Sequence, residues 1–213
     1  MIIMFGSHKG GVGKTTTVMN IAVMLVAQGR SVIILKADKN KELNYWLERR
    51  TEAGLSTIPL QEAYGDISRE VTRLAKLSDV VLIDTAGHDS AEFRSALTCA
   101  NVLISPVRPA SQLEVDNLAD LTRTVREAQR LANPTLKAGI LLTRVTAGNE
   151  ATELSALLKS DSDWLQPFKT RLSQLKVFES AVNLGAGVHE VDRASSLSKA
   201  RGQLELLAKE IGL

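Results

Sequence analysis

Cysteine is almost absent from this sequence, and its scarcity excludes two kinds of site. The chain has 213 residues and one cysteine, Cys99. A single thiol cannot form a disulfide within the chain, and it cannot supply the paired ligands of a zinc site or of a cluster shared by two subunits. We therefore expect a protein of the reducing cytoplasm, with Cys99 as a small buried apolar side chain.

Aromatic residues, excess charge and long apolar runs are also scarce. Phe, Trp and Tyr make up 4% of the chain, so the core is expected to be mostly Leu, Val, Ile and Ala. Because the formal net charge is only +2, any affinity for nucleic acid must come from a local patch or from oligomerisation. No run approaches the roughly 18 apolar residues of a membrane span. The apolar start, residues 1–5, is too short for a secretory signal and lacks preceding basic residues. We expect a soluble protein.

Apolar residues amount to 44% of the chain and fall into short runs separated by longer helical patterns. The runs typical of parallel strands covered on both faces are residues 1–5, 32–35, 80–83, 102–105 and 138–142, with a further candidate at 167–175. The helical patterns are residues 14–28, 41–50, 66–77, 91–99, 111–131, 151–159, 177–184 and 194–211. This alternation predicts one domain, residues 1–213, with a doubly wound, mostly parallel α/β sheet and helices on both faces.

A glycine-rich segment lies between the first strand and the first helix. Glycines allow backbone amides to converge on an anion, and the helix N-terminus adds partial positive charge. Lys14 is expected to reach the β- and γ-phosphates, and Thr15 to place its hydroxyl on Mg²⁺. A plain turn that closes a β–α unit is the weaker alternative, because strand, loop and helix are in register. The sequence therefore predicts a nucleotide-binding P-loop consisting of Gly10, Gly11, Val12, Gly13, Lys14, Thr15 and Thr16.

This P-loop differs from the ordinary Walker A pattern. His8 occupies the position where that pattern has its first glycine, and a second lysine, Lys9, follows it. The segment therefore has the deviant Walker A form.

Two predicted strands are followed by carboxylates. Asp84 follows the apolar run 80–83 in the manner of a Walker B segment, so we expect it to bind Mg²⁺ through a water, with Gly87 near the γ-phosphate. Asp38 follows the second strand and would lie at the same edge of the sheet, where it could orient the attacking water. From the residues alone, Asp38 is equally well an ordinary strand end.

Residues 9–16, Asp38 and residues 83–87, in this order and spacing, resemble the ParA-type plasmid and chromosome partition ATPases. That family belongs with MinD and the nitrogenase iron protein in the deviant Walker A group. The resemblance covers essentially the whole chain and is sharpest up to Gly87. It extends to Trp46 and to the strand end at residues 141–144. The similarity is to the short class, in which no helix-turn-helix domain precedes the phosphate loop.

The resemblance implies a cycle. Two subunits sandwich two ATP molecules, and the catalytic residues are Lys9, which reaches the partner's phosphates, Lys14 and Asp38, which positions the hydrolytic water. Thr15 and Asp84 hold Mg²⁺. The ATP-bound homodimer binds DNA without sequence preference, and a centromere-binding or adaptor protein stimulates the slow hydrolysis that releases it. The cargo is a plasmid, a chromosome or a protein organelle, and the location is the cytoplasm, on the nucleoid.

The chain departs from this family at two places. The family usually has Asp-x-Asp-Pro-Gln after the second strand, whereas this chain has Lys36-Ala37-Asp38-Lys39-Asn40. A cation thus replaces the earlier acid, although Asp38 is kept. Residues 178–191 follow the family's base-recognition loop only loosely.

Basic residues near the end of the chain are candidate DNA contacts. A solvated charged face explains scattered Lys and Arg equally well, and both interpretations stay open. The alternative function is that of a MinD-like membrane-cycling ATPase, which would need a C-terminal amphipathic helix with a strongly basic face. Residues 203–211 balance acidic and basic side chains, so we expect a helix packed on its own domain and no membrane partner. The candidate DNA contacts are Lys169, Arg171, Lys176, Arg193, Lys199 and Arg201.

Overall fold

The backbone forms a parallel sheet with helices on both of its faces. A computed structural model describes residues 1–109 and 112–213, except for the side chains of residues 112–116. The strands in this part of the chain are β1 (Ile2–Phe5), β2 (Val32–Ala37), β3 (Leu60–Glu62), β4 (Val80–Thr85), β5 (Val102–Val107), β6 (Lys137–Val145) and β7 (Pro167–Ser173). They form one sheet in the order β3-β2-β4-β1-β5-β6-β7, and every neighbouring pair is parallel.

The helices cover the sheet in two groups. They are α1 (Lys14–Ala27), α2 (Glu42–Glu52), α3 (Ser68–Leu74), α4 (Ala91–Cys99), α5 (Gln112–Leu131), α6 (Glu150–Lys159), α7 (Lys176–Asn183) and α8 (Leu197–Ile211), with a short 3₁₀ helix at Val188–Glu190. One core joins the sheet to α1, α2, α7 and α8, and includes Trp46 and Leu204. The other joins it to α3, α4, α5 and α6, and includes Phe93 and Leu121. The predicted doubly wound α/β fold is confirmed.

The central strands contain continuous apolar runs because each strand contributes to both cores. In β1, Ile3 lies in the core under α1 and Met4 lies in the opposite core. In β4, Leu82 and Ile83 are divided in the same way. Residues that alternate between two buried faces need no polar position, which explains the continuous runs.

The ends of several strands and helices differ from the predictions, because backbone pairing and local turns do not follow the apolar pattern. β2 and β4 continue past their apolar runs, so that Lys36 pairs with Asp84. α3 is shorter than the predicted 66–77, since Asp66 accepts bonds from the N–H and hydroxyl of Ser68 in a turn before the helix. The last helix begins three residues later than predicted. The predicted start of the fifth helix at Ser111 lies outside the described residues.

The edge strand β3 was not predicted from the sequence. It has three residues, of which Gln61 and Glu62 are exposed, and it pairs with β2 alone. A strand this short has no apolar run and no clear alternation to reveal it.

Helix α8 packs on its own domain, as expected for residues 203–211. Leu204, Leu207 and Ile211 are buried in the core beside α1. Glu210 accepts bonds from the backbone N–H groups of Lys169 and Thr170, which fixes the helix along β7. Among the described residues, no helix combines the length and the apolar character needed to span a bilayer.

A buried arginine connects α2 to the segment between α7 and α8. Arg50 is 1% exposed, and its guanidinium donates to the carbonyl oxygens of Ser56 and Gly185. It also bonds both carboxylate oxygens of Glu190, at 2.8 Å each, and lies 5.0 Å from the centroid of Trp46. One side chain thus holds three separate backbone segments together.

Replacing Arg50 with Met should lower the free energy of unfolding by about 3 kcal/mol, because the carboxylate and the carbonyls that it bonds lose their partner. Urea unfolding followed by circular dichroism measures the change. The control is Arg49→Met, which alters the exposed neighbour on α2 and should stay within about 0.5 kcal/mol of the parent. Equal effects of the two substitutions would contradict this role for Arg50.

Candidate active site

The candidate site lies where the sheet order reverses. β1 is flanked by β4 and β5, and the chain leaves its carboxyl end through the predicted P-loop into α1. In open α/β sheets, ligands bind in the crevice outside the carboxyl ends of the strands at such a point. The topology therefore brings the P-loop, the end of β2 and the end of β4 to one edge.

The P-loop backbone has a conformation that requires glycine. Gly11 and Gly13 have φ angles of 73° and 89°, in the left-handed region. Bonds from outside the loop hold it, since the hydroxyl of Thr143 on β6 donates to the carbonyl of Val12 at 2.7 Å. In α1, which is described in full, no side chain caps the N-terminus and the first turn has no acidic residue. Its free N–H groups are suited to an anion.

Lys14 lies within the loop and is 7% exposed. Its ammonium donates to the hydroxyl of Ser7 at 3.3 Å and to the carbonyl of Lys9 at 3.1 Å. Burial lowers the pKa of Lys14, against the opposing influence of Asp84 and Asp38. An ammonium with so little solvent would gain from the oxygens of a bound phosphate.

Thr15 and Asp84 are in contact, as their predicted shared role requires. The Thr15 hydroxyl donates to Oδ2 of Asp84 at 2.9 Å. Asp84 is 1% exposed, and its Oδ1 accepts no hydrogen bond in the part of the chain that the structure describes. Burial raises the pKa of this carboxyl to about 7. A hydroxyl beside a carboxylate with an unsatisfied oxygen fits Mg²⁺, which prefers such oxygen ligands together with water and phosphate.

Gly87 packs directly against the P-loop. A Cβ atom at this position would lie 2.7 Å from the backbone nitrogen of Gly10, so any other residue would displace the loop. The segment after β4 is therefore adjacent to the phosphate site, where Gly87 was expected.

Asp38 lies at the same edge, one residue beyond β2. Its carboxylate accepts bonds from the N–H and the side-chain amide of Asn40, at 3.1 and 2.7 Å. The charge of Asp38 raises the pKa values of both Lys14 and Asp84, as expected for a carboxylate at the same edge of the sheet. Lys9 is partly exposed in the loop beside them. The structure thus gathers the predicted catalytic and metal-binding residues in one place.

A cleft beside the P-loop was not identified from the sequence. Its cavity volume is about 90 Å³. Of the predicted base-recognition segment 178–191, only Phe178 and Glu179 line it. Arg144, in its wall, has a φ of 51°, a left-handed conformation unusual for a residue with a side chain. The other lining residues are Gly13, Thr16, Thr17, Thr143, Leu172, Ser173, Gln174, Leu175, Lys176 and Leu204.

The six candidate DNA contacts do not form one patch. α8 runs antiparallel to β7, so Lys169 lies near the end of α8, whereas Lys199 lies near its beginning. Arg201 donates to the carbonyl oxygens of Val188 and Val191, at 2.9 and 2.6 Å. Its side chain therefore fixes the backbone between α7 and α8. Lys176 begins α7 and lines the cleft, Arg171 is half-buried on β7, and Arg193 is exposed before α8.

The chain is similar to known proteins along almost its entire length. The family described as CobQ/CobB/MinD/ParA nucleotide binding domain matches residues 3–176. The chain is 26% identical over 217 residues to protein virC1 of Rhizobium radiobacter, covering 99% of this chain and 85% of that protein. It is 29% identical over 205 residues to maintenance of carboxysome distribution protein A of Gloeobacter kilaueensis, covering 95% and 90%.

Solved structures show the same fold. The complex of a Cyanothece McdA variant with ATP has a TM-score of 0.77 and 16% identity, over 100% of this chain and 96% of that chain. The septum site-determining protein MinD from Pyrococcus horikoshii, complexed with Mg-ADP, has a TM-score of 0.73 and 18% identity, over 99% and 97%.

Replacing Asp84 with Asn should change the pH dependence of stability in buffer without nucleotide or Mg²⁺. Between the ordinary pKa of 3.8 and the folded value of about 7, the folded protein keeps a proton that the unfolded chain releases. Stability therefore falls as pH rises through this window. The Asn variant lacks this loss and should exceed the parent by on the order of 4 kcal/mol at about pH 8, with little difference near pH 4.

Urea unfolding at a series of pH values tests this. Asp79→Asn is a control of opposite sign, because bonds from Ser31 lower the pKa of Asp79. This control should lose stability relative to the parent above about pH 4. Parallel pH profiles for the parent and Asp84→Asn would contradict the effect of burial on Asp84.

Proposed function

The chain belongs to the CobQ/CobB/MinD/ParA family of nucleotide-binding domains, and on this premise we propose that it is an ATP hydrolase that partitions or positions a cargo. In this proposal the protein dimerises on binding ATP and Mg²⁺, and the dimer binds DNA without sequence preference. A centromere-binding or adaptor protein then stimulates slow hydrolysis. The observation that carries the proposal is the convergence of Lys14, the Thr15–Asp84 pair and Asp38 on one edge of the sheet.

The residues of the site divide the work of ATP hydrolysis. The amides of the P-loop and of the first turn of α1 hold the phosphates, and Lys14 compensates their charge. Thr15 would hold Mg²⁺ through its hydroxyl, and Asp84 would hold it through a water. The ion, when bound, offsets negative charge on the phosphates. Asp38 orients the attacking water, and its unused lone pairs remain available because Asn40 supplies only two donors.

The cleft is the proposed site of the nucleoside. It shares Gly13 and Thr16 with the phosphate-binding segment, so a ligand held by its phosphates would extend into it. The relatives add support, because the McdA variant was solved with ATP and MinD with Mg-ADP.

Dimerisation is proposed from the position of Lys9. This lysine is partly exposed, whereas Lys14 is buried within the loop. In the deviant Walker A group that this loop resembles, the corresponding lysine reaches the phosphates of the partner subunit. We assign the same role to Lys9.

DNA is the proposed surface on which the dimer acts. The contacts are assigned to the exposed lysines and arginines among the six candidates, with Arg201 excluded because backbone carbonyls hold its guanidinium. The similarity to MinD keeps a membrane-positioning function as the second candidate. The buried apolar face of α8 favours DNA, because that face is occupied by the core and cannot insert into a bilayer at the same time.

Lys14→Ala should weaken ATP binding by at least about 100-fold, the effect of losing charge-assisted bonds of roughly 3 kcal/mol. Isothermal titration calorimetry with ATP and Mg²⁺ measures it. Lys76→Ala removes an exposed lysine at the end of α3 and serves as the control, with unchanged affinity expected. Unchanged affinity in Lys14→Ala would rule out this P-loop as the nucleotide site.

Co-sedimentation tests whether the protein binds DNA or membranes. The protein is mixed with random-sequence DNA or with anionic liposomes, in each case with ATP, with ADP or without nucleotide. The parent protein should bind DNA only with ATP, and less at higher salt because phosphate contacts release counterions. Lys9→Ala should bind ATP but fail to dimerise and to bind DNA. Binding to liposomes without binding to DNA would instead establish the membrane-positioning function.

A further inference from the structure

Lys36 is a buried cation close to the proposed water-orienting residue. It lies in β2, two residues before Asp38, and is 3% exposed. Its ammonium donates to the side-chain oxygen of Asn44 at 2.7 Å and to the carboxylate of Glu62 at 2.8 Å. Burying an unpaired ammonium is costly, so these two partners account for its presence.

The partners of Lys36 come from two other elements. Asn44 lies in the first turn of α2, and Glu62 lies in the edge strand β3. Asn44 also donates to Glu62 at 3.1 Å, so that the three side chains form a closed set of hydrogen bonds. The hydroxyl of Tyr64 donates to the other oxygen of Glu62 at 3.0 Å.

The carboxylate of Glu62 balances the charge of the Lys36 ammonium. The hydrogen bond from Lys36 is the largest cause that lowers the pKa of Glu62 to about 2. Glu62 therefore stays ionised at neutral pH, and its charge offsets that of the lysine. The side chain of Glu62 is 41% exposed whereas that of Lys36 is 4% exposed, so solvent reaches the carboxylate side of the pair.

Asp38 is connected to the beginning of α2 through Asn40. Its carboxylate holds Asn40, and the side-chain oxygen of Asn40 accepts a bond from the N–H of Glu42, the first residue of α2. Lys36 thus bonds Asn44 in the first turn of α2, and Asp38 bonds Asn40 in the turn that leads into this helix.

From this geometry we infer that Lys36 is a positioning residue for hydrolysis, which acts through Asn44 and Glu62 to fix the turn that carries Asp38. The inference rests on the proposed function, because it assigns to Asp38 the orientation of the attacking water. The inference also explains how Lys36 is accommodated at a position where the ParA-type family usually has an acidic residue. The strand β3 supplies a carboxylate, that of Glu62, and Lys36 pairs with it.

Lys36→Met tests the inference with two measurements. Hydrogen exchange of the amides of residues 38–44 reports the order of the turn directly, and it should become at least about 10-fold faster because two anchoring bonds are lost. The kcat of ATP hydrolysis should fall by about 10-fold or more, since small displacements of a catalytic group cost this much. ATP affinity should remain within about twofold, because the ammonium of Lys36 donates to Asn44 and Glu62, which lie outside the P-loop. The matched control is Lys39→Met, an exposed lysine in the same turn, which should change none of these values.

A second variant keeps the test valid if Lys36→Met folds poorly. Glu62→Gln changes a partly exposed side chain, and it should accelerate exchange and lower kcat in the same direction by about threefold. In the double variant the losses should not multiply, because both residues act in one hydrogen-bonded set.

The outcomes distinguish a failure of the role of Lys36 from a failure of the proposed function. Unchanged exchange and unchanged kcat in both variants would overturn the role of Lys36, as would a loss of ATP affinity equal to the loss of kcat. If the parent protein binds ATP but does not hydrolyse it, the proposed function fails. The exchange measurement would then still decide whether Lys36 orders the turn.

Discussion

The register between three central strands sets the geometry that the rest of the site depends on. Phe5 of β1 and Lys36 of β2 both pair with Asp84 of β4. Because the P-loop follows directly after Phe5, this register places Thr15 within hydrogen-bonding distance of Asp84. It also leaves Asp38 two residues beyond Lys36, at the edge that faces the loop. A shift of one residue in the pairing of β2 or β4 would turn the side chains of that strand to the opposite face of the sheet.

Helix α1 connects the site to the other helices on the same face of the sheet. Its first turn belongs to the phosphate site, and its buried Asn20 donates to the carbonyl of Thr16 while accepting from the N–H of Val188. Arg50 then connects the same region to α2 through Gly185 and Glu190. The cleft beside the P-loop is therefore bounded by elements from distant parts of the chain, which are held by a small number of buried polar bonds.

The environment of Asp84 shows how stability and function compete at this site. A carboxyl group with a free oxygen in a dry interior disfavours the folded state whenever it is ionised, and this accounts for its raised pKa. A bound cation would remove that disadvantage. Lys36 presents the reverse case, a buried charge whose partners are supplied by the protein itself. The two groups lie side by side on adjacent strands. Among the described residues nothing donates a hydrogen bond to Oδ1 of Asp84, and Asp84 is the group assigned to the ligand.

The sequence by itself determined the fold class, the phosphate loop and the strand-end carboxylate Asp84. Each of these is encoded locally, by the apolar period of a strand or by neighbouring residues whose backbone conformation and chemistry define a motif. Only the tertiary structure decided the edge strand β3, the pairing of Lys36 with Glu62, the lining of the cleft and the structural task of Arg201. Those features depend on contacts between residues far apart in the chain. A short exposed strand or a single lysine has no local pattern that identifies its partner, because the partner is chosen by the packing of whole elements.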